Sequence, residues 1–91
     1  ADSLCAPLIM PYSFSVAKNV IDLMINITED EMIEGMIYAY KNFKLMLEPA
    51  CVAGFAALKN HLNGKFKNQN TVLLLCGSNI DYLSWKKIIS N

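Results

Sequence analysis

The chain has 91 residues, 54% of them apolar, which is room for one small domain or part of a larger one and excludes intrinsic disorder. Eight basic residues, every one a lysine, balance eight acidic ones, so charge gives no reason to expect nucleic acid or an anionic membrane as partner. Three cysteines, Cys5, Cys51 and Cys76, form no CxxC pair, which argues against a disulfide scaffold or a metal site and for a reducing, cytoplasmic setting.

The opening "ADSLCAPLIMPYSF" has no basic n-region of the signal-peptide kind, and no apolar run in the chain is long enough for a membrane span. A start at Ala1 without methionine suggests a segment of a longer protein, although processing gives the same end. Pro7 and Pro11 bracket "LIM", so residues 1–12 are expected as extended chain and turns without a helix. Ser13 is placed to cap a short helix with Phe14, Ala17 and Ile21 on one side. "DLMINI", residues 22–27, then alternates Leu23, Ile25 and Ile27 as a short strand would.

Thr28 begins "TEDE", a capping box in which the threonine hydroxyl serves the amide of Glu31 and the Glu31 carboxylate reaches back. Met32, Ile33, Met36, Ile37 and Tyr40 recur at the spacing of one buried helical face, and the helix should end near Phe43. The acids Glu29, Asp30, Glu31 and Glu34 read as a solvated face, with no pattern of a metal cage. In "LEPACVAGFAALKNHLNG", Glu48 stands at an N-cap-like position and Pro49 at the first helical position. Ala50, Cys51, Ala53, Gly54, Ala56 and Ala57 are small enough for another element or a flat ligand to approach closely, and Gly54 implies tight packing. Gly64 is expected to close this helix as a left-handed cap.

"KFKNQN" is turn-like and leads into "TVLLLC", residues 71–76, which is apolar or β-branched up to its cysteine and shows no alternation. Both faces of such a strand should be covered, as in a parallel sheet. Asp81 then caps a last helix carrying Tyr82, Trp85 and Ile89. The expected order is helix, strand, helix, helix, strand, helix, and the fold class is α/β. Two strands cannot cover themselves on both faces, so further strands must come from elsewhere.

The strand runs into "CGSN", where open parallel sheets place their ligands. Gly77 could simply turn the chain while Ser78 and Asn79 serve the first amides of the last helix. Alternatively Cys76 is a nucleophile, with His61 the one imidazole available as base; the position of His61 near a helix C-terminus accounts for it otherwise. Glu48 could cap its own helix, face a ligand, or do both. No phosphate loop of the GxGxxG or GxxxxGK type is present.

Taken together, "ADSL" (1–4), "PYSF" (11–14), "ITEDEM" (27–32), "LEPACVAGFAAL" (47–58) and "LLLCGSNID" (73–81) resemble the C-terminal part of the serine/threonine dehydratases, pyridoxal-phosphate enzymes of the tryptophan-synthase-β type known as fold type II. The resemblance implies that residues 1–91 complete the three-layer, parallel-sheet cofactor domain of a chain three to four times longer. It implies pyridoxal phosphate as cofactor, L-threonine or L-serine as substrate, a homo-oligomer, and release of a 2-keto acid and ammonia. Racemases of the same family are similar, and a non-catalytic α/β module that kept the scaffold is the rival from another class.

By the same resemblance Cys76 donates to the pyridine nitrogen of the cofactor, Glu48 lies close to its ring, and Gly77, Ser78 and Asn79 form the loop after that contact. A thiol is too weak an acid to protonate the nitrogen fully, which favours loss of a β-hydroxyl over other fates of the α-carbanion. Many relatives carry "SGGN" where this chain has "CGSN", which points to the dehydratase branch that uses cysteine. The Schiff-base lysine and the phosphate cradle belong to the family's upstream portion, and none of the eight lysines lies in a matching motif. The 91 residues alone are therefore expected to be inactive.

Overall fold

The computed structural model describes residues 1–90 and holds four α-helices: α1 (Pro11–Val20), α2 (Glu29–Phe43), α3 (Ala53–Asn60) and α4 (Tyr82–Ile89). Short 3-10 turns stand at Asp2–Leu4 and Pro49–Val52. Helix α2 starts where the sequence places it. The Glu31 amide donates to Thr28 Oγ1 at 3.2 Å and the Thr28 amide to Glu31 Oε2 at 2.7 Å, so both arms of the capping box are formed. The helix ends at Phe43, and Lys44 takes the left-handed conformation as its cap.

The buried face of α2 carries Met32, Met36 and Ala39, which pack with Leu47, Cys51, Val52 and Trp85 into one core. Ile33 and Ile37 flank that face half-buried, while Tyr40 is exposed and tilts its ring onto Trp85 at 4.9 Å. Gly35 lets the 3-10 turn lie against α2: a Cβ there would stand 3.1 Å from Val52 Cβ and 3.2 Å from Val52 O. Gly54 does the same for the chain entering the site, since its missing Cβ would meet Leu73 Cδ2 at 3.2 Å. The tight packing expected of Gly54 is therefore present; that of Gly35 has no local signature in the sequence.

Several expectations change. No segment among the described residues is paired as a strand: residues 22–27 and 71–76 are neither helix nor strand, with a bend at Asp22, and no neighbouring strand lies alongside to complete a hydrogen-bonded ladder. Residues 1–12 include a 3-10 turn at Asp2–Leu4, and α1 begins at Pro11 with Met10 as its N-cap, ahead of Ser13. The proline explains the earlier start, because its ring presets a helical φ and it has no N–H to satisfy. The segment after Glu48 opens as a 3-10 turn and becomes α-helical only at Ala53. It ends at Asn60, before Gly64, whose φ of +78° serves a run of turns over residues 63–68. Asp81 caps α4 as expected, accepting from the Ser84 amide at 2.9 Å. No helix among the described residues is long and apolar enough to cross a membrane.

Candidate functional site

Pro49 forces the preceding residue out of helical conformation, so Glu48 stands at ψ 158° and leads into the 3-10 turn. The tightness of that turn brings the residue three places on back over Glu48. The Cys51 thiol accordingly donates to Glu48 Oε1 at 3.3 Å, and Glu48 makes no side-chain cap. Of the roles open to Glu48, the cap is not formed, and the carboxylate is turned toward the end of the segment of residues 71–76.

That segment arrives along α3, with Leu73 against Gly54, and delivers Cys76 to the same place. The sulfurs of Cys51 and Cys76 are 3.5 Å apart. Cys51 is buried, whereas Cys76 is exposed. Burial, then the contacts with Cys76 and Glu48, push the Cys51 thiol up to about 12, so it stays protonated at neutral pH. With its one proton committed to Glu48, Cys51 can only accept at the sulfur contact, and Cys76 has a single proton to give, either to Cys51 or, turned away from it, to another acceptor on its open side.

Gly77 follows with φ +155°, a conformation that side chains disfavour. A Cβ there would stand 3.6 Å from Glu48 Oε1, an ordinary contact, so backbone conformation and not crowding is what calls for glycine. Asn79 shares with Glu48 a cleft of about 530 Å³ that is also lined by Asp81, Ser84 and Ile88. Ser78 joins neither group; its carbonyl accepts from the Ile80 amide at 2.8 Å. Neither Ser78 nor Asn79 caps α4, because Asp81 does.

Of the five site residues expected from the sequence, Glu48, Cys76 and Gly77 come together, Asn79 lies beside them, and Ser78 stands apart. Cys51 joins the cluster although the sequence offered it only as a small residue. Its signal was the three-residue spacing from Glu48 in "EPAC", the reach of one 3-10 turn. His61 is removed from this group: its Nε2 pairs with Glu31 Oε1 at 2.8 Å, which leaves it no part as base for Cys76. A second cleft of about 510 Å³, lined by Tyr38, Phe55, Leu62 and Phe66 among others, contains none of the five.

Comparison with known proteins supplies the context for this geometry. Phenylserine dehydratase of Ralstonia pickettii is 35% identical over 81 residues, 89% of this chain and 25% of that protein. L-threonine ammonia-lyase of Thermotoga maritima is 27% identical over 78 residues, 86% of this chain and 19% of its own length. Serine racemase of Schizosaccharomyces pombe is 25% identical over 79 residues, 87% and 24% respectively. The chain thus spans a quarter or less of these relatives. No solved structure matches it. The family model described as pyridoxal-phosphate dependent enzyme matches residues 1–77, with Cys76 and Gly77 as its last two positions, and the chain therefore belongs to that family of pyridoxal-phosphate enzymes.

Proposed function

We propose that the protein carrying this chain is a cytoplasmic dehydratase that deaminates L-threonine or L-serine to a 2-keto acid and ammonia. Residues 1–91 act in it as the C-terminal part of the cofactor domain. The observation that carries the reading is the cluster of Glu48, Cys51, Cys76 and Gly77 at the end of the segment of residues 71–76. Its chemistry fits the cofactor. The Cys76 thiol is an exposed donor beside a glycine, and the one carboxylate of the group is engaged by Cys51.

Pyridoxal phosphate, when bound, supplies an electron sink for the pair released at the α-carbon. Cys76 would hold a proton at its Sγ toward the pyridine nitrogen without transferring it. Cys51 supports Cys76 from behind, and its bond to Glu48 keeps the carboxylate from competing for the Cys76 proton. Asn79 lines the polar cleft next to Glu48. Residues 71–76 are read as a strand of a parallel sheet completed by chain outside these residues. Val72 and Leu74 are exposed on one side of that segment while Leu73 and Leu75 are half-buried on the other, a one-sided burial that supports the reading.

Relatives named for phenylserine, L-threo-3-hydroxyaspartate and L-threonine support the substrate class, since each of those amino acids carries a hydroxyl on its β-carbon. Serine racemase among the relatives keeps inversion at the α-carbon as the second reading. Turnover of L-serine and L-threonine by the full-length protein separates them. Keto acid in excess over inverted amino acid is the result expected; the reverse ratio would replace the dehydratase by the racemase. For Cys76, substitution Cys76→Asp should shift the cofactor's absorption toward that of its protonated ring, and an unchanged spectrum would overturn the donor role.

A further inference from the structure

The Cys51 and Cys76 sulfurs stand 3.5 Å apart, about 1.5 Å beyond the disulfide bond length of about 2.05 Å. Within residues 1–91 Cys51 is buried and Cys76 exposed, so with the cofactor absent Cys76 is the outer thiol that meets an oxidant and Cys51 the inner thiol that resolves it. We propose that Cys51 and Cys76 form a reversible disulfide, which makes this site a point of oxidative modification and withdraws the Cys76 proton. The disulfide stands on the sulfur geometry alone; only its effect on the cofactor rests on the donor role proposed above.

The oxidant is a small-molecule disulfide such as oxidised glutathione. Cys76, as thiolate, attacks one of its sulfurs; the S–S bond breaks and a glutathione thiolate leaves, to be protonated by solvent. Cys51 Sγ then attacks Cys76 Sγ of the mixed disulfide. Its proton passes to Glu48, to which it is already hydrogen-bonded at 3.3 Å, and from there to the departing second thiolate. In sum, two protein thiols lose two protons and two electrons, and one small disulfide is reduced to two thiols. Glu48 answers the difficulty that a buried thiol is seldom ionised, because it takes the proton as the new bond forms.

Cys5 provides an internal reference, being exposed but held elsewhere, with its thiol on the Ala1 carbonyl at 3.4 Å. The test treats the full-length protein, freed of cofactor, with oxidised glutathione, blocks remaining thiols by alkylation and maps tryptic peptides by mass. Expected is a cross-link between Leu45–Lys59 and Asn68–Lys86, at least about tenfold above any pair containing Cys5 and lost on adding dithiothreitol. The variant Cys51→Ser, in a Cys5→Ser background, should instead stop at Cys76 joined to glutathione, and Glu48→Gln should accumulate that same mixed disulfide. Cys76 found joined to glutathione in the wild-type protein with Cys51 still alkylated, or pairing with Cys5 as readily as with Cys51, would overturn the proposal. Cofactor added back to the cross-linked protein with the same absorption as in the reduced protein would leave the disulfide standing and remove the donor role of Cys76.

Discussion

Placing the same methyl group at Gly35 and at Gly54 should give opposite results, and the difference follows from what each methyl would meet. At Gly35 the new Cβ stands 3.1 Å from Val52 Cβ, 3.2 Å from Val52 Cγ2 and 3.2 Å from Val52 O. A Cβ and a carbonyl oxygen move only with the backbone, and Val52 is fully buried, so the 3-10 turn must retreat from α2. Overpacking of that kind costs about 3 kcal/mol at its upper end. Helix propensity returns about 1 kcal/mol and methyl burial about 0.8 kcal/mol, which leaves Gly35→Ala destabilised by about 1 kcal/mol. At Gly54 the close atom is Leu73 Cδ2 at 3.2 Å, the free end of a rotatable side chain, and the next neighbours stand at 4.0 Å. Gly54→Ala should therefore be neutral or stabilising by up to about 1 kcal/mol. Urea unfolding of the full-length protein with an unchanged slope measures both. Because Val52 adjoins Cys51, Gly35→Ala should also slow the Cys51–Cys76 cross-link. A Gly35→Ala protein as stable as Gly54→Ala, with cross-linking unaltered, would refute the reasoning.

Acid should loosen both helix starts. Glu31 is held below its ordinary value of 4.5 by the Thr28 amide first and by His61, and Asp81 is held below 3.8 by Ser84. A depressed carboxyl binds its proton more readily once unfolded, so its contribution is complete above the ordinary value and is lost as pH falls through the folded one. Glu31→Gln with Asp81→Asn should flatten the fall of the thermal midpoint below about pH 4.5, and an equally steep fall in the double variant would count against both caps. The 91 residues expressed alone should yield no keto acid from serine or threonine, because no lysine among them stands in a Schiff-base motif; turnover by that peptide would overturn the expectation.

What the sequence made legible is what short-range chemistry decides. Thr28 and Glu31 cap each other within one turn, and Met32 and Met36 fall on the core side because a helix has one period. Asp81 was legible for the same reason. Glu48 was legible as a site residue only through the family resemblance: read locally, a carboxylate before Pro49 looks like a cap until the 3-10 turn brings Cys51 over it. Gly64 misled because a left-handed glycine serves a turn as well as a helix end, and the helix had ended at Asn60. The closeness of Cys51 and Cys76 depends on a contact across 25 residues, which no local pattern reports.

Residues 22–27 and 71–76 read as strands by composition, yet they pair with nothing among the described residues, and the surface gives the physical reason. A folded protein of 10.2 kDa is expected to expose about 5,300 Å². This chain exposes 7198 Å², with Leu8, Met10, Tyr12, Met24, Val72 and Leu74 among its exposed apolar side chains. Strand-forming sequence without a covered face has no ladder to join, so residues 71–76 lack the pairing. The site is less dependent on that cover, because Glu48, Cys51 and Cys76 are held by the 3-10 turn on α2 and by Leu73 against Gly54, contacts made within the chain itself. A sheet added beneath Val72 and Leu74 would complete the strand without having to build the cluster at its end.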